Sequence, residues 1–140
     1  MSTHAPPWEE KIWGSVQHIF SSEQAAVSCL KIDRGFRCSC HKHNQRANTF
    51  AAQTGIVAIE EWLDIPDDTG KITLVKPGIT YSVPSGIWHR FRVWQSGDIA
   101  EFYWPDMGGV VLMDDIERLD IGGEDDLEEL EKLLKAAGYL

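Results

Sequence analysis

The residues best suited to chemistry are three histidines with a particular spacing. His41 and His43 stand two apart, six residues beyond Gly35, and His89 follows the Pro84-Ser-Gly86 turn that Gly78 precedes. Side chains alternate faces along a strand, so both imidazoles of the His-x-His pair point the same way. Neutral imidazoles suit Zn, Fe, Ni, Co or Mn as divalent ions. Three protein ligands leave positions open at such an ion, as catalysis requires. Two hairpins that bring His41, His43 and His89 together would therefore build a metal site, against the plainer reading of polar residues near strand ends. Gln45, two beyond His43, shares that face if the strand continues, and is a candidate fourth ligand. Glu101 offers a cavity base or, pointing outward, a solvated carboxylate. Arg46 offers a guanidinium for a substrate phosphate or carboxylate or a surface salt bridge. By alternation Arg37 and Ser39 share the His41 face, while Cys38 and Cys40 point away as packed thiols. Trp62, Trp88, Trp94 and Trp104 either stack on a sugar or pack in the core, and Trp88 should face away from its neighbour His89. His4 and His18 carry no supporting pattern.

The elements that must position these groups read as short strands bounded by turn residues, over 12–20, 25–32, 36–43, 49–53, 56–62, 72–75, 79–83, 87–94 and 99–104, with a further one at 110–113. Asp33-Arg34-Gly35, Lys76-Pro77-Gly78 and Ser96-Gly97-Asp98 mark turns, and 64–70 is a polar turn region. Regular short strands argue for an all-β sandwich or barrel. Helical spacing appears only in the tail, where Leu127, Leu130, Leu133, Leu134 and Ala137 recur over 125–137. Asp125 with Glu128 suggests a capping box, and Gly138 a stop. The leucine face either packs on the barrel or serves dimerisation.

Residues 35–55 resemble the first cupin motif: a glycine, five residues, His-x-His, a short gap, an acid, six residues and a glycine, with Asn48, after four residues, where the acid belongs. Residues 78–93 resemble the second, a glycine, five residues, Pro-x-Gly, two residues, His and three residues, with Val93 where the family carries Asn. Ile12-Trp13-Gly14-Ser15, the run from Tyr81 to Arg90 and Asp114-Asp115-Ile116-Glu117-Arg118 resemble the cupin domain of mannose-6-phosphate isomerases. The resemblance implies a single jelly-roll barrel over 1–121 with a C-terminal helix over 122–140. It also implies metal ligands at His41, His43 and His89, with the family glutamate replaced by Asn48. Aldose–ketose chemistry on a sugar or sugar phosphate follows, with Glu101 at the place of a family glutamate. The departures at Asn48 and Thr49 fall beside the expected metal. A three-histidine Fe(II) dioxygenase and a non-catalytic sugar-binding cupin are the rival expectations.

Composition sets outer bounds. The 140 residues suit one domain, and 43% hydrophobic content can supply a core. Residues 114–140 carry ten acids and three bases, so −7 of the net −9 belongs to the tail. No basic face is left to neutralise phosphates, which disfavours nucleic acid as a partner. No apolar run is long enough for a membrane span, and 1–10 lacks a leader's apolar core. Cys29, Cys38 and Cys40 form no even framework. The expectation is a cytoplasmic homodimer that takes a small-molecule substrate.

Overall fold

A computed structural model describes residues 4–67 and 70–140. Residues 1–3 of the expected lead-in, and Asp68 and Thr69 of the expected polar turn, lie outside the described residues. The chain builds β1 (Trp8–Lys11), β2 (Gly14–Ser21), β3 (Ala26–Ile32), β4 (Phe36–Arg37), β5 (His41–Lys42), β6 (Ala47–Ala52) and β7 (Ile56–Trp62). There follow β8 (Lys71–Val75), β9 (Thr80–Val83), β10 (Trp88–Gln95), β11 (Gly97–Trp104), β12 (Glu117–Arg118), β13 (Gly123–Glu124) and α1 (Leu127–Ala136). All pairings are antiparallel. One sheet runs β1-β2-β3-β11-β6-β9. In the other, β10 is flanked on one side by β7 and then β8, and on the other by β4 and β5, which carry β13 and β12 outside them.

The inner faces of the two sheets share one core. Val16, Leu30, Phe50 and Ile99 from the first meet Val57, Ile59, Phe91 and Val93 from the second, all buried. Each such side chain contributes roughly 1.5–3 kcal/mol on leaving water, which is what lets the barrel hold polar groups at one end. Along β10 the alternation is strict in effect: His89, Phe91 and Val93 turn inward, while Arg90, Arg92 and Trp94 meet partners on the outside.

The expected strand over 36–43 is broken. Arg37 lies opposite Arg92 and His41 opposite His89. Four steps on one strand thus answer three on the other, the mark of a bulge. The extra residue turns Arg37 outward toward Asp125, 4.0 Å away, and Cys38 inward to the core, where it accepts a hydrogen bond from the Phe91 N–H at 3.1 Å. The expectation that Arg37 shares the His41 face, and that Cys38 points away from it, is corrected by this bulge. Three further strands, β1, β12 and β13, were not expected from sequence, and 110–113 is not a strand. Instead 112–122 crosses the outside of β5 as a strap, pairing through β12 and donating the Leu119 N–H to the Cys40 carbonyl at 2.9 Å.

The helix lies on the outer face of the second sheet. Leu130 and Leu134 are fully buried against Ala58 and Leu74, with Leu127 packed beside them, so the leucine face meets the barrel rather than a partner. Its cap is Asp126, whose side chain accepts from the Glu128 and Glu129 N–H groups, one residue later than expected. Asp125 is committed elsewhere, to a bidentate pair with Arg92 at 2.7 Å on both sides. No helix among the described residues is long and apolar enough to cross a membrane.

Candidate metal centre

His41 opens β5, His43 follows it into the turn toward β6, and His89 lies in β10 directly opposite His41. One nitrogen from each ring lies within 4.8 Å of the other two, and the ring centroids are 4.5–5.4 Å apart. Each ring is oriented by a backbone carbonyl. His41 Nδ1 donates to Ser39 O at 2.7 Å, His43 Nδ1 to Asp115 O at 2.8 Å, and His89 Nδ1 to Ile87 O at 2.9 Å. With the proton on Nδ1, every Nε2 carries an acceptor lone pair, and that of His89 takes a long hydrogen bond from Asn48 Nδ2 at 3.3 Å. His43 Nε2 is buried with no hydrogen-bond partner, and so is Asn48 Oδ1. Orphaned buried acceptors are costly and therefore rare. Three converging imidazole nitrogens fit a divalent cation, with the carbonyls fixing the ring tautomers as outer partners of metal-bound histidines do.

Electrostatics point the same way. Burial pushes all three imidazoles toward the neutral, metal-binding form. His41 is held well below its ordinary value by burial and then by the neighbouring His89 and His43. His43 is pushed down to about 3 by burial and then by the charge of Arg46. His89 is pushed down to about 4, again chiefly by burial.

Asn48, in β6, sits where the motif expects an acid, and its side chain points inward. Its Nδ2 is 3.3 Å from His89 Nε2 and donates to Glu101 Oε2 at 3.1 Å. Glu101, in β11, also accepts from the Tyr103 hydroxyl at 2.6 Å. Burial raises the Glu101 carboxyl above its usual range, against the pull of these two donors. The outward reading of Glu101 is thereby replaced by a cavity position. Arg46 is buried as well. Its Nη1 donates to the Leu112 carbonyl, its guanidinium lies 4.2 Å over the Tyr103 ring, and its Nε has no partner. Gln45 is not brought to the histidines. It is exposed, its N–H donates to Asp115 Oδ2 at 2.8 Å, and its side chain lies beside Gly109. The chain turns after His43, so the period-two argument for Gln45 fails and Asn48 takes the inward place.

The second-motif turn is tied to the same spot. Gly86, at φ 80°, donates its N–H to the His43 carbonyl at 2.6 Å. A positive φ of that size is open to glycine at little cost.

No family model matches the sequence, and no curated protein does. Solved structures do match in shape. KdgF from Halomonas sp. superposes with a TM-score of 0.60 at 17% identity, over 71% of this chain and 87% of that one. A Streptomyces PAC13 variant solved with uridine gives 0.67 at 9% identity, over 92% and 98%. Bacillus subtilis oxalate decarboxylase at pH 4.6 gives 0.65 at 14% identity, over 81% of this chain, which spans only 30% of that protein's length. The fold is that of the cupins.

In this cupin barrel His41 borders a cavity of about 570 Å³. His41, Arg46, Glu101 and Tyr103 line its polar end, and Trp13, Leu30 and Phe91 its apolar wall. Trp62, Trp88, Trp94 and Trp104 are not among its lining residues, so Trp13 is the tryptophan a ligand would meet. His18, without a supporting pattern in the sequence, also lines it and bonds Ser28 Oγ through Nδ1 at 3.0 Å. The signal that finds it is its two-residue offset from Val16, a core residue of the same strand.

Proposed function

We propose that the protein is a metal-dependent cupin enzyme that moves a proton on a small polar substrate, in the manner of a sugar or sugar-phosphate isomerase or epimerase. The observation that carries this reading is the convergence of three neutral imidazoles one amide away from a buried carboxylate. His41, His43 and His89 would hold the ion, with the Asn48 amide beside His89. A bound divalent ion of this kind supplies Lewis-acid polarisation of a substrate oxygen. Glu101 takes and returns the proton, since burial raises its affinity toward the range a general base needs. Tyr103 and Asn48 fix the carboxylate's orientation. Arg46, held by Leu112 and stacked on Tyr103, keeps a positive charge against the cavity's polar end. The resemblance to mannose-6-phosphate isomerases supports the aldose–ketose assignment.

A second reading is favoured by one feature. Among the described residues the candidate ligand cluster contains histidine alone and no carboxylate, a set that also suits an Fe(II) dioxygenase. One experiment addresses both. Purified protein is analysed for metal, then screened for interconversion of sugar phosphates and for oxygen uptake. Metal held by wild type and lost from His41→Ala/His89→Ala, with aldose–ketose turnover that falls in Glu101→Gln, supports the isomerase. Bound iron with oxygen consumption replaces it by the dioxygenase, and ligand binding without turnover replaces both by a binding protein.

A further inference from the structure

We propose that Arg118 forms an anion site at the mouth of the cavity, receiving the phosphate or carboxylate tail of a substrate whose other end lies against His41. The proposal deepens the reading above and rests on the cavity being the reaction site. β12 lies antiparallel to β5 with Arg118 directly opposite His41. Residues so paired project to the same side of a sheet, and both line the cavity. The charge of Arg118 is felt at His41, where it adds to the other influences that keep the ring neutral.

What singles Arg118 out is that it makes no ion pair among the described residues, while the acids closest to it in the strap and the cavity are mostly engaged. Glu117, the acid beside it, pairs with Lys42 at 3.4 Å on the opposite face. Asp115 spends both carboxylate oxygens on the Asn44 and Gln45 N–H groups, and Asp120 caps the Cys40 and Gly122 N–H groups. Glu101 is held by Tyr103 and Asn48. Glu10 and Lys11 reach the same mouth from β1, and neither they nor Arg118 make an ion pair among the described residues. In a chain of 22 acids and 13 bases, an unpaired arginine at a cavity rim is conspicuous. Its planar fork suits bidentate capture of phosphate or carboxylate. Ile116 and Ile121 line the cavity from the same strap, lowering the local polarity in which such a contact is made. Arg46 cannot fill this role as freely, because Leu112 and Tyr103 already occupy it.

The test is calorimetric titration of zinc-loaded protein with inorganic phosphate and, in parallel, with malonate. Wild type binds, and whichever probe binds tighter names the tail. Arg118→Ala weakens binding about five- to tenfold and flattens its salt dependence, and Arg118→Lys restores part of it. Arg34→Ala, whose guanidinium stacks on Trp94 outside the barrel at 4.6 Å, leaves it unchanged. Metal-free wild type binds phosphate more weakly, for want of the dication, and Arg118→Ala weakens that remaining binding by a similar factor. Wild-type affinity in Arg118→Ala, an Arg118→Ala effect that vanishes in metal-free protein, or no binding by wild type would each overturn the proposal. Failure of wild type to retain zinc would instead strike the metal reading and leave the phosphate result standing.

Discussion

The two faces of β10 make opposite use of buried polar groups. On the outside, Arg92 is fully buried and fully answered: Asp125 grips it at two points, Glu129 approaches to 3.4 Å and Glu60 to 3.8 Å. On the inside, His89 is equally buried, but only one of its nitrogens is matched to a backbone carbonyl. A closed network of charges stabilises a docked helix and is inert. An open one, with three acceptor nitrogens facing each other and only the Asn48 amide at 3.3 Å as donor, is a site suited to a cation. Burial alone therefore does not mark function on this strand, whereas burial with an unfilled valence does.

The sharpest way to break this contrast is pH, applied to metal-free protein. The unfolded chain binds protons on its histidines below about pH 6.5. The folded chain refuses them, with His43 held down to about 3 and His89 to about 4. Stability is therefore unaffected above pH 6.5 and falls as pH drops below it, by at most about 1.4 kcal/mol per unit for each histidine. Glu101, raised by burial, has the opposite sign: its contribution is present in acid and lost as pH rises, so it offsets part of the fall. Over three histidines the loss between pH 6.5 and 5 reaches roughly 4–6 kcal/mol at most, a large share of a typical domain's stability. Thermal melts should show a midpoint that drops steeply across this window. A flat profile would mean that the inner rings are not held neutral.

Next in size is the outer face. Asp125→Ala leaves Arg92 charged and without its bidentate partner, and should cost about 3–5 kcal/mol in chemical denaturation while metal content stays at the wild-type level. Arg92→Met with Asp125→Leu should recover most of that loss, since a packed apolar pair replaces a buried ion pair with little penalty. A metal content that falls along with stability in Asp125→Ala would show the two faces to be one unit.

The smallest effect sharpens the inner face. Asn48→Glu places a carboxylate where an amide now stands beside His89. Metal retention against a chelator should rise about tenfold, because the anion offsets the ion's charge. Retention no better than wild type would remove Asn48 from the ion's surroundings.

Much of this was legible in the sequence, and the failures have physical causes. The strands and the leucine-faced helix announced themselves because one face of each is buried, and burial writes a period of two or of 3.6 into the chain. The three histidines were legible for the same reason, aided by their turn residues. The bulge at Cys38–Cys40 was not, because an inserted residue leaves composition unchanged and merely inverts the faces of what precedes it. Trp8–Lys11 read as a loose lead-in because an edge strand with every residue exposed has no periodicity to read. Gln45 was favoured over Asn48 by extending a strand through a turn. The strap was misread because its hydrogen bonds to Cys40, Asn44 and Gln45, on either side of β5, join residues about 70–80 positions apart, and no local pattern encodes a partner at that distance.

That strap also sets an order of events. His43 takes its ring orientation from Asp115, 72 residues further along, and the strand carrying His41 acquires its outer neighbour only with Glu117 and Arg118. A chain made from its N-terminus has all three histidines by residue 89, well before the carbonyl that aims His43 exists. Contacts this remote in sequence form slowly, since a long loop must close before they can be made. A single cut within 112–122 is expected to release the His43 ring while Ser39 and Ile87 still hold His41 and His89.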